Sequence, residues 1–118
     1  MSESAYELFR EGQKRLRAGM TAQATVPLEK AKKIEPAKAS IREALGIAYF
    51  RLARWRDAER EFRTIVEELS PTDHYAHYAL GRALEHLGKT AEANGHYKLA
   101  SSMKPSSETY SSRILDLE

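Results

Sequence analysis

Five positions recur along the chain at intervals of 34 or 35 residues, and no other feature of the sequence constrains the fold as strongly. They hold Gly12, Gly46 and Gly81; Ala24, Ala58 and Ala93; Leu28, Phe62 and Tyr97; Ala31, Ile65 and Ala100; and Pro36, Pro71 and Pro105. A fixed period of this length is typical of stacked copies of one supersecondary unit, each burying its apolar face against the next. The 118 residues have room for three such units in a single domain.

Within each unit the apolar residues recur every three or four positions, which is the period of an amphipathic helix. The segments between turns are rich in Ala, Leu, Glu, Lys and Arg, and no window alternates as a strand does. We therefore predict six helices in three antiparallel pairs, over residues 6–18, 21–34, 39–53, 57–69, 73–87 and 90–103. One extra residue just before Leu69 lengthens the fourth helix, and Pro27 should kink the second helix or delay its start.

The period and its columns resemble the tetratricopeptide repeat family, whose unit is a helix-turn-helix. The third unit resembles it most, with Leu80, Gly81, Ala93, Tyr97, Ala100 and Pro105. The resemblance implies an all-α, right-handed solenoid of antiparallel helix pairs, a single domain 1–118 with repeats at about 5–38, 39–73 and 74–105. The chain departs from the family in two columns: where Trp is favoured it has Leu8, Glu43 and His77, and where Tyr is favoured it has Arg15, Tyr49 and Leu84.

The recurring small residues suggest how each helix pair packs. We expect the three glycines to lie where the two helices of a pair approach most closely, with the three alanines facing them. The large side chains Leu28, Phe62 and Tyr97 should then fill the space between one repeat and the next. Each closing proline ends a helix and fixes the following turn.

A further helix is predicted after Pro105, over about residues 107–117. Ser106 or Ser107 would cap it, and Tyr110, Ile114 and Leu117 would lie on one side. A solenoid needs such a capping helix because its last repeat otherwise exposes an apolar face.

The sequence contains no signature of catalysis. Cysteine is absent, which excludes thiolate nucleophiles and thiolate metal sites, and no glycine-rich phosphate loop or metalloprotease motif occurs. His74 and His77 would share a helix face and could hold a divalent metal, but a packing histidine beside an N-cap Asp73 explains them more simply. We therefore predict no enzyme activity, no cofactor and no metal.

The charge balance argues against polyanionic partners. Lys and Arg number 19 against 17 Asp and Glu, a net charge of +2, and the densest cluster, Lys30, Lys32 and Lys33, reads as a solvated helix face. Nucleic acid and membrane surfaces are therefore not expected partners. The first residues do not have the pattern of a signal peptide and no apolar run is long enough for a membrane span, so we expect a cytoplasmic protein.

The resemblance also implies a binding surface, because in that family the first helices of successive repeats line a concave groove. The side chains that face it by register, besides Leu16, Ser40 and Glu85, are Tyr6, Phe9, Gln13 and Arg17; Glu43, Ile47, Phe50 and Arg51; and Tyr75, Tyr78, Arg82 and His86. Aromatic and Arg side chains on an exposed concavity are typical of binding hot spots. The alternative is that some of the rings, Tyr6 and Phe9 especially, pack between helices.

Two functional hypotheses follow from this groove. The first is a non-catalytic protein interaction module that binds an apolar partner segment carrying acidic residues; the second is a structural module that self-associates through the same surface as a homo-oligomer. Family members that grip chaperone C-terminal carboxylates use a clamp of Lys, Asn and Arg. The matching positions here are Phe9, Gln13, Ala44, Tyr75 and Ala79, which have no cation, so that mode of binding is not expected.

Overall fold

The computed structural model describes residues 3–114, and every regular element in that range is helical. The helices are α1 Ala5–Arg17, α2 Thr21–Ile34, α3 Ala39–Arg51, α4 Trp55–Thr64, α5 His74–His86, α6 Thr90–Met103 and α7 Glu108–Ser112. A π-helical turn, Ile65–Leu69, continues α4. The predicted all-α architecture of antiparallel helix pairs is confirmed. When the π-helical turn is counted with α4, the ends of the six paired helices agree with the sequence prediction within two residues.

The two helices of each pair are joined by the same kind of turn. Its middle residue takes a left-handed backbone conformation, with φ of 78° at Gly19, 77° at Gly88 and 57° at Ala53. In each turn the next residue donates its N–H to the carbonyl five positions back, at 2.8–2.9 Å, which satisfies an otherwise free helix-end carbonyl. The middle pair therefore holds an alanine where a residue without Cβ is favoured.

The recurring glycines are packing positions, but their partners differ from those predicted. A Cβ at Gly46 would lie 2.6 Å from Cζ of Phe62, and a Cβ at Gly81 would lie 2.5 Å from Cε1 of Tyr97. Gly12 is covered in the same way by Leu28. The large residue of each repeat thus packs on the glycine of its own repeat, and the prediction that an alanine faces the glycine is wrong. The large side chain of each repeat occupies the space over the bare backbone of its glycine.

The second helix runs through its proline. Contrary to one predicted outcome, α2 begins at Thr21 and is not delayed, with Pro27 inside it and buried. Because proline has no N–H, the carbonyl of Gln23 loses its helical donor. The Nη1 of Arg15 in α1 donates to that carbonyl at 3.0 Å. Arg15, one of the departures from the family pattern, therefore compensates for the proline.

The extra residue of the middle interval is accommodated in the π-helical turn. There the N–H of Ser70 reaches the carbonyl of Ile65 at 2.7 Å, five residues back. A π turn of this kind absorbs one inserted residue without breaking the helix. The following proline and α5 therefore keep the spacing of the other repeats.

A buried carboxylate ties the first two repeats together. Glu61 of α4 is 1% exposed and accepts from Nζ of Lys32 at 2.8 Å and Nη1 of Arg42 at 3.0 Å. The prediction that Lys32 belongs to a freely solvated lysine face is therefore wrong, because its ammonium group is paired with Glu61. The ion pair explains why a glutamate can lie in the core.

The last described helix docks on the third repeat. Tyr110 of α7 is buried, and its hydroxyl shares a 2.8 Å hydrogen bond with Nδ1 of His74. The side chain of Ser107 caps α7 through the N–H of Tyr110. The helix ends at Ser112, earlier than the predicted 117, where serine hydroxyls bond to the preceding carbonyls. Leu117, predicted to lie on its apolar side, is outside the described residues.

Candidate binding groove

Two adjoining cavities form one groove along the first helices of the pairs. Helices α1, α3 and α5 run parallel because each is separated from the next by one antiparallel helix. The aromatic cavity, of about 190 Å³, is lined by Ile47, Phe50, Arg51, Phe62, Tyr75, Tyr78, Ala79 and Arg82. The polar cavity, of about 250 Å³, is lined by Phe9, Gln13, Leu16, Arg17, Ser40, Glu43, Ala44, Ile47 and Arg51. Ile47 and Arg51 line both, so the cavities are continuous.

Ten of the twelve residues assigned to the groove from the sequence line these two cavities. Tyr6 and His86 lie outside them. Tyr6 is exposed and lines a separate cleft with Ile34 and Lys38, at the opposite end from α7. Phe9 lines both that cleft and the polar cavity, and it packs against the core, so the alternative of interhelical packing holds for Phe9 but not for Tyr6.

An aromatic cluster closes the side of the groove where α3 and α5 end. The ring of His86 stacks on Trp55 with centroids 3.8 Å apart and planes 8° apart, and the rings of Phe50 and Trp55 make a T-shaped contact with centroids 4.9 Å apart. The guanidinium of Arg82 lies 5.3 Å from the centre of the Phe50 ring and donates to the Tyr78 hydroxyl at 3.2 Å. These five side chains are therefore held by contacts within the protein before any ligand arrives.

Two residues of this region were missed from the sequence. Trp55 begins α4, outside the helices whose register defines the groove, yet it supports Phe50. Tyr110 of α7 lies with its ring 5.1 Å from that of Tyr78 and extends the aromatic wall. Both residues lie beside the groove only because of the tertiary arrangement. For Trp55 the sequence offered one usable signal, an aromatic residue directly after a turn.

Two guanidinium groups of the groove carry no internal partner. Arg17 and Arg51 are exposed, and within residues 3–114 neither makes a hydrogen bond or an ion pair. Both lie at the ends of their helices and border the polar cavity. Charged donors without partners are available for an anionic ligand at no cost in broken contacts.

A half-buried carboxylate lies in the same cavity. Burial, and to a lesser extent the charge of Asp73, raises the pKa of Glu43 above its usual value. Burial also raises the pKa of Tyr75, with a contribution from the nearby Glu43. The two arginines at the edge of the cavity, rather than this half-buried carboxyl group, are therefore the groups that would attract an anionic ligand.

The histidines serve packing, as predicted for His77. His77 is 5% exposed, and its Nε2 lies 2.8 Å from the carbonyl of Pro71, which can only accept. The proton therefore resides on Nε2, and Nδ1 accepts from Nδ1 of His96 at 3.0 Å. Both ring nitrogens are committed to these bonds. Among residues 3–114 no group of three or more His, Asp or Glu side chains is arranged to hold a metal ion.

The architecture is that of a helix-pair repeat solenoid, and comparison with known proteins assigns its family. The family model described as tetratricopeptide repeat matches residues 43–108, more than half of the chain. The protein therefore belongs to the tetratricopeptide repeat family. No curated protein matches the sequence. Along the part of the chain that the structure describes, no helix has both the length and the apolar character needed to cross a bilayer.

Solved structures of the same fold cover almost the whole chain. The first such repeat domain of Spaghetti (RPAP3), bound to the HSP90 peptide SRMEEVD, has a TM-score of 0.89 and 24% identity, with 97% of this chain and 90% of that chain aligned. MamA has a TM-score of 0.89 and 22% identity over 93% of this chain and 64% of that chain. The OM64 domain of Arabidopsis gives 0.88 and 18% over 93% and 90%.

Proposed function

We propose that the protein is a non-catalytic interaction module whose groove binds a short segment of a partner protein, apolar in part and carrying acidic side chains. Its family fold is typically a non-catalytic scaffold for protein interactions. The observation that carries the proposal is the placement of two unpartnered guanidinium groups, Arg17 and Arg51, at the polar cavity that adjoins the open aromatic cavity.

The aromatic cavity fits one large apolar side chain. A cavity of about 150 Å³ accepts a benzene ring, and this one measures about 190 Å³. Its walls at Phe50, Tyr75 and Tyr78 are already packed, so little side-chain freedom is lost on binding. An aliphatic or aromatic side chain of the partner would bury most of its surface there.

The edge of the groove selects for charge. A partner carboxylate between Arg17 and Arg51 would gain charge-assisted hydrogen bonds, and no internal ion pair would have to break. A similar chemistry in a relative supports the proposal, since the Spaghetti (RPAP3) domain binds a peptide that contains both apolar and acidic residues. The cations here lie at other positions than the chaperone clamp, so we do not propose a chaperone tail held by that clamp.

The test is a peptide library displayed against the protein, in which apolar and acidic content vary independently. Trp55 is the sole tryptophan and contacts Phe50, a wall of the aromatic cavity, so its fluorescence reports occupancy. We expect the selected peptides to combine acidic and large apolar residues. The substitution Arg51→Glu should weaken their binding about tenfold or more. Arg56→Glu, an exposed arginine on α4, is the matched control. Selection of basic peptides, or equal loss in both variants, contradicts the proposal.

Self-association through the same surface is the second candidate. One feature of the sequence favours it: the residues that follow Ile114 have the composition that the groove should select.

A further inference from the structure

The groove is electrically asymmetric across its width. Because α1, α3 and α5 run parallel, their last turns lie along the same edge. Arg17 ends α1 and Arg51 ends α3, and Arg82 lies in the penultimate turn of α5. The opposite side carries Tyr75 and the half-buried Glu43. One edge is therefore cationic, and the remainder of the groove is aromatic or weakly acidic.

This asymmetry favours a particular sequence pattern in an extended ligand. A strand laid across the three helices directs successive side chains to opposite sides, with a rise of about 3.3 Å per residue. Side chains two positions apart are then about 7 Å apart, and neighbouring packed helices are about 8–10 Å apart, a difference that long arginine side chains can span. The preferred ligand alternates acidic and apolar residues, so that the acidic ones face the cationic edge.

The chain itself contains that pattern. Leu115, Asp116, Leu117 and Glu118 alternate apolar and acidic residues; they lie outside the described residues. They follow Ile114, which is 37% exposed.

We propose that residues 115–118 of one copy bind in the groove of a second copy, with the two acidic side chains at Arg17 and Arg51 and a leucine in the aromatic cavity. This inference rests on the proposed function of the groove and names its occupant. The contact is heterologous, since a tail meets a groove, so each bound copy leaves one groove and one tail free and assembly continues with concentration.

The position of α7 favours a second copy over the chain's own groove. Tyr110 packs against Tyr78, which places α7 beside α5 at the end of the row of groove helices. To reach both Arg51 and Arg17 of its own groove, the tail would have to pass α5 and α3, at least two helix spacings of about 8–10 Å each. Four extended residues span at most about 14 Å, so reaching both arginines within one molecule would need full extension of the backbone and of the side chains, and it would leave the chain monomeric at every concentration. A groove on another molecule carries no such restriction.

The test is sedimentation equilibrium of the full chain from micromolar to millimolar concentration. We expect the average mass to rise with concentration and the association to weaken in high salt. The tail variant Asp116→Lys/Glu118→Lys and the groove variant Arg17→Glu/Arg51→Glu should each weaken association about tenfold or more. All four side chains are exposed or outside the described residues, and circular dichroism checks that the fold is retained.

A charge swap gives the decisive comparison. An equimolar mixture of the tail variant and the groove variant pairs a cationic tail with an anionic groove, and should associate more tightly than either variant alone. The control Arg56→Glu/Lys98→Glu changes two exposed cations on α4 and α6 and should associate like the parent chain.

Three results would overturn the inference. They are a parent chain that stays monomeric at millimolar concentration, association that is unchanged in the tail variant, and no gain in the charge-swapped mixture. If the parent chain is monomeric but library peptides still bind in an Arg51-dependent way, the groove remains a binding site and only the assigned occupant is wrong. If those peptides fail as well, the proposed function itself fails.

Discussion

Replacing Gly46 by alanine should destabilise the protein, although alanine is the better helix former. The new Cβ would lie 2.6, 2.7 and 3.0 Å from three carbon atoms of the Phe62 ring, where about 3.5–4.0 Å is comfortable. Phe62 is 1% exposed and packs within the core, so its ring can give way only by displacing its neighbours or by shifting into the aromatic cavity that it lines. Overpacking of a core costs about 1–3 kcal/mol, and the helical preference for alanine returns about 1 kcal/mol. We expect a net loss of about 1 kcal/mol in the free energy of unfolding.

The chain provides an internal control for that prediction. Apart from its chain neighbours and its own helical backbone, Gly95 in α6 has no atom within 4 Å of the position that a Cβ would take, so Gly95→Ala should gain about 0.5–1 kcal/mol. The difference between the two variants, about 2 kcal/mol, isolates the overpacking cost. Urea unfolding followed by circular dichroism measures both. If Gly46→Ala stabilises the protein as much as Gly95→Ala does, the reasoning about the close crossing is refuted. Adding Phe62→Leu to Gly46→Ala should show a favourable coupling.

Three further predictions concern contacts that the repeat pattern does not contain. Glu61→Ala should lower the free energy of unfolding by about 3 kcal/mol, because two cations lose a buried partner, whereas Glu67→Ala at an exposed ion pair should cost under about 1 kcal/mol; equal losses would contradict the buried ion pair. Arg15→Leu should cost about 1 kcal/mol with Pro27 present and less in a Pro27→Ala background, where a helical N–H replaces the guanidinium; additive losses in a double-mutant cycle would contradict this. Burial and a histidine neighbour hold the pKa of His96 below its usual 6.5, so the unfolded chain binds the proton more readily; stability should fall as the pH drops below 6.5, and His96→Gln should reduce that fall in thermal melts over the same pH range.

The repeat spacing was enough to predict the fold because it reports local geometry. Helix period, turns and closing prolines are each encoded within a few residues, and three copies of the same columns remove ambiguity. The register that places Ile47 and Arg51 on the groove side follows from the same counting, and both line the cavities. Spacing alone also located the extra residue that becomes the π-helical turn before Ser70.

The repeat spacing does not predict which side chains of different helices contact each other. A glutamate in a charged stretch gives no sign that it will be buried, and Glu61 is buried only because cations from α2 and α3 converge on it. The stacking of His86 on Trp55 likewise joins residues of two repeats. The packing partner of Gly46 was predicted wrongly, because the order of the recurring positions along the sequence does not show which way the large side chain of Phe62 points.

The most direct test of the account is to map, by NMR, where a selected acidic and apolar peptide binds on the isotope-labelled protein. We expect the largest shifts of the backbone amides to fall on α1, α3 and α5, centred on Ile47, Arg51 and Tyr78, and the side-chain signal of Trp55 to shift with them. Shifts concentrated instead on the outer surfaces of α2, α4 and α6, with these groove residues unchanged, would contradict the assignment of the groove as the binding surface.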